Sequence, residues 1–225
     1  MTFSIVGLCE RTGMSGVAIT TSSICVGSRC PWVRANAGAV TTQNVTDPSI
    51  GNEVLDLLSS GIGAKEAVAR VMGGRAHADY RQVAVIDMKG QTAQFTGANI
   101  LGTNEVAEGR NCIAAGNLLS TSDVPHAMVR SFEAGAEKHL AERLVDALLA
   151  GIDAGGEEGP TRSAGLLVAH EQSWPLVDLR VDWDDGCPGT TLKNLWTAYE
   201  PQMMDYLSRA LDPAAAPSYG VPGDQ

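Results

Sequence analysis

Apolar residues recur at helical spacing in segments that come in pairs, and this pairing constrains the fold more than any other feature of the chain. The first pair opens at Asp47-Pro48, with Asp47 placed to cap and Pro48 pre-set for a first helical position. It carries Val54, Leu55, Leu57 and Leu58 and stops at Gly61; residues 64–72 then put Ala67, Val68, Val71 and Met72 on one face ahead of Gly73-Gly74. The second pair is a shorter segment over 123–134 and a longer one over 137–152, where Leu140, Leu144, Val145, Leu148, Leu149 and Ile152 form a core-facing stripe. A doubly wound parallel sheet places a crossover helix between successive strands, so consecutive helices argue against it.

Strands are expected in groups between these pairs. Residues 3–8 and 16–21 read as a hairpin around Gly13, followed by a strand over 32–43. Residues 81–87 and 91–97 form a second hairpin, and 111–119 a strand that runs into a loop. After the breaker Gly155-Gly156-Glu157-Glu158-Gly159-Pro160 come strands over 163–169 and 176–183, the latter alternating Val177, Leu179, Val181 and Trp183 with Asp178, Arg180 and Asp182. A last helix over 190–211 is expected to break at Pro201. The order specifies an α+β fold of two antiparallel sheets stacked face to face with helix pairs outside. It reads as a single domain over 1–211, with a proline-rich, flexible tail over 212–225.

Sixteen basic against 26 acidic side chains give a formal charge of −10, which excludes surfaces built to neutralise polyanions. Nucleic acid and membrane are therefore not expected partners. No stretch approaches the ~18 apolar residues of a membrane span. The five cysteines (Cys9, Cys25, Cys30, Cys112, Cys187) contain no CxxC pair, and the N-terminus has no basic residue ahead of its apolar stretch. These features point to a cytoplasmic protein in a reducing compartment.

Phosphate loops, dinucleotide fingerprints, nucleophile elbows and HExxH are absent, and His77, His126, His139 and His170 are scattered. No metal or other cofactor is expected; the run Asp178, Asp182, Asp184 and Asp185 reads as a solvated sheet face paired with Arg180. What remains is Thr2, which leads directly into the first strand. Removal of Met1 would leave a threonine whose hydroxyl and α-amino group belong to one residue. The amine, with a pKa near ~7.7–8.0, can act as base for that hydroxyl.

Several segments, taken together and in order, resemble the DUF1028 family: MTFSIVG, GVAITTSSICVG (16–27), PW-x-RANAGAVTTQ (31–43), YRQVAVIDMKGQTAQFTG (80–97), GNLL (116–119) and LRVDWDD (179–185). The resemblance runs from residue 2 to about residue 200. It implies an N-terminal-nucleophile (Ntn) hydrolase-like fold, the four-layer αββα sandwich, and hydrolysis of an amide-type C–N bond of a small molecule through an acyl-enzyme. By the same resemblance Thr2 matches the nucleophile position and Thr21 the hydroxyl at the end of the second strand. Gln43 matches a family glutamine, and Asn117 is the candidate oxyanion donor. Ser22 stands where the family commonly has lysine, and residues 102–105 (GTNE) stand where it tends to carry a WAGH-like motif. Ser22, Ser23, Arg34, Gln43 and Arg81 are the candidate substrate contacts, an arginine suiting a carboxylate-bearing amide. A homo-oligomer is also implied. The alternative is a non-catalytic protein that uses the fold for binding or assembly.

Overall fold

The computed structural model describes residues 1–221. Its strands are β1 (Thr2–Cys9), β2 (Met14–Thr21), β3 (Pro31–Arg34), β4 (Gly38–Asn44), β5 (Arg81–Asp87), β6 (Thr92–Thr96), β7 (Glu105–Gly109), β8 (Cys112–Asn117), β9 (Ser163–Ala169) and β10 (Val177–Val181). The helices are α1 (Ser49–Ser59), α2 (Ala64–Met72), α3 (Asp123–Ala134), α4 (Leu140–Asp153) and α5 (Pro188–Leu211). The strands form a six-stranded sheet ordered β10-β9-β2-β1-β8-β7 and a four-stranded sheet ordered β3-β4-β5-β6, with antiparallel pairing throughout the described residues.

Strand alternation sorts the apolar residues into three layers of core. Phe3, Ile5 and Cys9 of β1 and Ala18 of β2 turn toward α3 and α4, where Leu140, Leu144, Val145 and Leu148 bury the predicted stripe. Val40, Val83 and Val85 face α1 and α2. Val6, Leu8, Val17, Ile19, Ala39, Ala84, Ile86, Ile113 and Ala115 fill the space between the sheets. The expected αββα sandwich is thus the observed one. Gly7 and Gly16 lie opposite each other in register, and a Cβ there would come within 2.6 Å of Phe132 and 2.7 Å of Leu144. Two of the 25 glycines of the chain therefore let the outer helices approach the sheet.

Several boundaries differ from expectation. The single strand over 32–43 is a hairpin of β3 and β4, turned by Asn36 (φ 60°) and Gly38 (φ 143°). A Cβ on Gly38 would lie 2.1 Å from the Ile86 carbonyl oxygen, so no other residue fits. β7 was not anticipated because it is an edge strand whose Glu105 and Glu108 give it no apolar alternation. α4 starts at Leu140 rather than 137, since extended His139 caps it by accepting from the Ala141 N–H at 3.2 Å. α5 continues through Pro201, which lies on an exposed stretch where water can satisfy the carbonyl left without a donor.

The start of the tail turns back against the end of α5, where Arg209 donates to the carbonyls of Pro217 at 3.2 Å and Ser218 at 3.1 Å. Residues 222–225 of the predicted tail lie outside the described residues. Among the described residues, no helix is long and apolar enough to cross a membrane.

Candidate active site

β1 lies at the centre of the six-stranded sheet, and its even-numbered residues point between the sheets. Val6 and Leu8 do so as apolar residues, whereas Ser4 and Thr2 carry the same face to its polar end. Register places Thr2 directly opposite Thr21 of β2 on one side and Asn117 of β8 on the other. Three residues separated by up to 115 positions in sequence therefore become neighbours across three adjacent strands. All are buried, with Thr2 6% exposed, Thr21 2% and Asn117 0%.

Thr2 Oγ1 lies 3.0 Å from Thr21 Oγ1 and donates to the Met1 carbonyl at 2.6 Å; the Thr21 hydroxyl donates to the same carbonyl. Behind them a chain of side-chain amides crosses between the sheets. Ser4 Oγ donates to Gln43 Oε1 at 2.7 Å, and Gln43 Nε2 donates to Gln82 Oε1 at 2.8 Å and the Ala115 carbonyl at 3.1 Å. Gln82 Nε2 donates to the Gly116 carbonyl at 3.1 Å, and its Oε1 also accepts from Asn117 Nδ2 at 3.1 Å. Backbone carbonyls thereby fix both glutamine orientations, which in turn fixes the Asn117 amide. One Nδ2 hydrogen serves Gln82, and the other remains to donate. The left-handed residue after the strand is Leu118 (φ 50°), so the turn falls beyond Asn117 and leaves that side chain on the sheet face.

Gln82 is the keystone of this network. Replacing it by leucine strands a donor on Gln43 and a donor on Asn117 in a buried interface and removes one donor from the Gly116 carbonyl. Each unsatisfied group costs ~1–3 kcal/mol. Thermal and urea unfolding of Gln82→Leu should show a loss of at least ~2 kcal/mol; an unchanged midpoint would mean that water enters this interface.

Ser22 and Ser23 form the turn after β2, the Ser23 carbonyl accepting from Ser163 Oγ at 2.6 Å and the Ser23 N–H facing Thr21 Oγ1 at 3.4 Å. The predicted arginines lie elsewhere. Arg34 shares the helix-facing side of β3 with Trp32 and pairs with Asp56 of α1 at 2.7 Å. Arg81 falls on the side of β5 occupied by Val83 and Val85 and donates to the Val45 carbonyl. Neither faces the hydroxyl cluster. Asp178 is bound by Arg180 at 2.7 Å and Asp185 by Arg162 at 3.1 Å; no group of three metal-ligating side chains occurs among the described residues. Burial pushes the Cys30 thiol up to about 11 and the Cys112 thiol up to about 12, so neither is a thiolate nucleophile at neutral pH.

Sequence reasoning missed Ser4 and Gln82 of this network, and it also missed Glu157. Two positive-φ glycines, Gly155 and Gly156, turn the loop after α4 so that Glu157 bridges to Leu119 and points inward, whereas Glu158 stays exposed. Glu157 is 7% exposed, and neither carboxyl oxygen has a hydrogen-bond partner. Burial pushes this carboxyl up to about 8, against the opposing pull of the N-terminal ammonium and of the Ser22 N–H, which approaches without hydrogen-bond geometry. The folded state thus keeps a proton that the unfolded chain releases near ~4.5. Across the window between these values the folded state binds more protons, so Glu157 makes stability fall as pH rises. Urea midpoints at pH ~5 and ~8.5 should show wild type losing stability relative to Glu157→Gln; a constant difference would place the carboxyl in water.

The model of a family of unknown function, DUF1028, matches residues 2–192. The chain belongs to the DUF1028 family. Its fold is similar to the crystal structure of protein SPO2555 from Silicibacter pomeroyi, itself a DUF1028 protein, with a TM-score of 0.81 and 33% identity over 88% of each chain. No match is found among curated proteins. The DUF1028 match begins at Thr2 and takes in Thr21 and Asn117, which flank it in register, and Glu157.

Proposed function

We propose that this DUF1028 protein is an N-terminal-nucleophile amidohydrolase whose nucleophile is Thr2, freed by cleavage of the Met1–Thr2 bond. The observation that carries the reading is the convergence of the Thr2 and Thr21 hydroxyls on one carbonyl, with Asn117 in register beside them. Thr2 Oγ1 attacks the amide carbonyl carbon and forms a C–O bond. Its proton passes to the α-amine of the same residue and then to the departing nitrogen as the C–N bond breaks. The Asn117 amide hydrogen not used by Gln82 stabilises the oxyanion, and Thr21 orients the Thr2 hydroxyl and amine. Water then cleaves the ester and restores Thr2. An antiparallel sandwich with the first strand at the centre of one sheet supports placing this chemistry with the Ntn hydrolases, since it holds residue 2 rigidly between the sheets.

While Met1 remains attached, the Thr2 nitrogen is an amide and cannot serve as base. Protein produced to begin at Thr2 should hydrolyse small anilides, and protein that retains Met1 should not. Equal rates from the two, with their N-termini verified by intact mass, would refute the mechanism. The non-catalytic alternative draws support from the burial of Thr2 beneath Met1, and it predicts no turnover from either form.

A further inference from the structure

The nature of the substrate is narrowed by what fills the cleft now, an inference that rests on the Thr2 reading. Met1 presents three groups to three separate receivers. Its carbonyl oxygen accepts from the hydroxyls of Thr2 and Thr21. Its ammonium is the opposing charge that acts on the otherwise unpartnered Glu157. Its thioether runs alongside Gly159, where an added Cβ would lie 3.1 Å from Met1 Cε and 3.6 Å from Sδ. Amine, carbonyl and side chain are the parts of an α-aminoacyl group; Met1 holds its carbonyl at the nucleophile, while its ammonium acts on the carboxyl through charge alone, without a hydrogen bond between them. We propose that the cleft vacated by Met1 takes the α-aminoacyl end of the substrate, an amide with a free ammonium on the carbon next to its carbonyl, and that Glu157 is the partner of that ammonium.

Three further observations favour this class over the acidic amide suggested by the sequence. The arginines that would have received a carboxylate are committed to Asp56 and to the Val45 carbonyl. A buried carboxyl whose two oxygens stay unpaired even with Met1 in place is costly, and a cation bound at hydrogen-bond distance recovers that cost. The side-chain end has room as well: Gly159 adds no Cβ, and with Ile152, Gly156, Pro160 and Cys187 it lines a cavity of about 250 Å³. The chemistry is that of the Thr2 mechanism. The hydroxyl oxygen bonds to the aminoacyl carbon, the leaving amine departs with the transferred proton, and water releases the free amino acid.

The test uses protein beginning at Thr2 and three p-nitroanilides with one leaving group: L-methionine, its desamino analogue 4-(methylthio)butanoate, and succinate. Wild type should favour the methionine anilide over the desamino compound by ~10- to 100-fold in kcat/KM, the worth of a hydrogen bond to a buried charge. Glu157→Gln should erase that preference, mainly through a higher KM for the methionine anilide. Equal use of the two compounds, preference for the succinate, or an equal fall in kcat on both in Glu157→Gln would overturn the proposal. The last of these results would instead make Glu157 a partner of the Thr2 amine.

A binding arm separates this inference from the Thr2 reading. Methionine amide titrated calorimetrically into protein beginning with Thr2→Ala should bind, and adding Glu157→Gln should weaken binding by ~10-fold or more. Binding without hydrolysis of any anilide by wild type would refute Thr2 catalysis and leave the ammonium site standing. Hydrolysis in which Glu157→Gln changes neither binding nor preference would do the reverse, and the absence of both binding and hydrolysis would overturn both.

Discussion

Replacing Thr2 by alanine, in protein that begins at residue 2, should lower anilide hydrolysis by on the order of 10⁶-fold, the scale reached when a covalent nucleophile is removed. The effect is large because no neighbouring group can substitute. Thr21 has a hydroxyl 3.0 Å away but no amine of its own, and its oxygen sits on the adjacent strand. Thr2→Ser keeps both hydroxyl and amine and should retain most activity. Folding should barely change in either variant, since the lost contacts are hydroxyl hydrogen bonds worth ~1 kcal/mol each. Matching thermal midpoints with divergent rates would separate chemistry from stability. A Thr2→Ala enzyme within ~10-fold of wild type would contradict the mechanism.

Asn117→Ala should lower kcat by ~10²–10³ while leaving KM nearly unchanged, because an oxyanion donor is engaged more strongly in the transition state than with the bound amide. The Gln82 carbonyl oxygen loses one of its two donors in that variant but keeps Gln43 Nε2, so the amide chain persists. Gln82→Leu is the complementary change, with a stability loss that exceeds its direct effect on chemistry. If Asn117→Ala instead raised KM and spared kcat, Asn117 would be a substrate-binding group and the oxyanion would need another donor.

The sandwich was legible because it rests on period and order: paired helical stripes, then strands whose apolar residues alternate. Thr2, Thr21, Gln43 and Asn117 were legible through the DUF1028 resemblance, and register then placed Thr2 between Thr21 and Asn117. Ser4 and Gln82 carried a readable signal that went unused. Ser4 is a polar residue in phase with Val6 and Leu8 on β1, and Gln82 one in phase with Ala84 and Ile86 on β5. Arg34 and Arg81 misled because strand membership does not specify the face. The parity of Trp32 and of Val83 turns each toward the helices. Glu157 had no sequence signal at all. It is indistinguishable from Glu158 in a loop of glycines, and only the positive φ of Gly155 and Gly156 turns one carboxyl inward and the other to solvent.

The central claim is that Thr2 Oγ1 becomes acylated. Protein beginning at Thr2 should therefore be treated with a β-lactone and digested, and the adduct located by peptide mass spectrometry. The account predicts one acyl group per chain on Thr2, absent from Thr2→Ala. Equal labelling of the two proteins, or an adduct confined to any other residue, would contradict it.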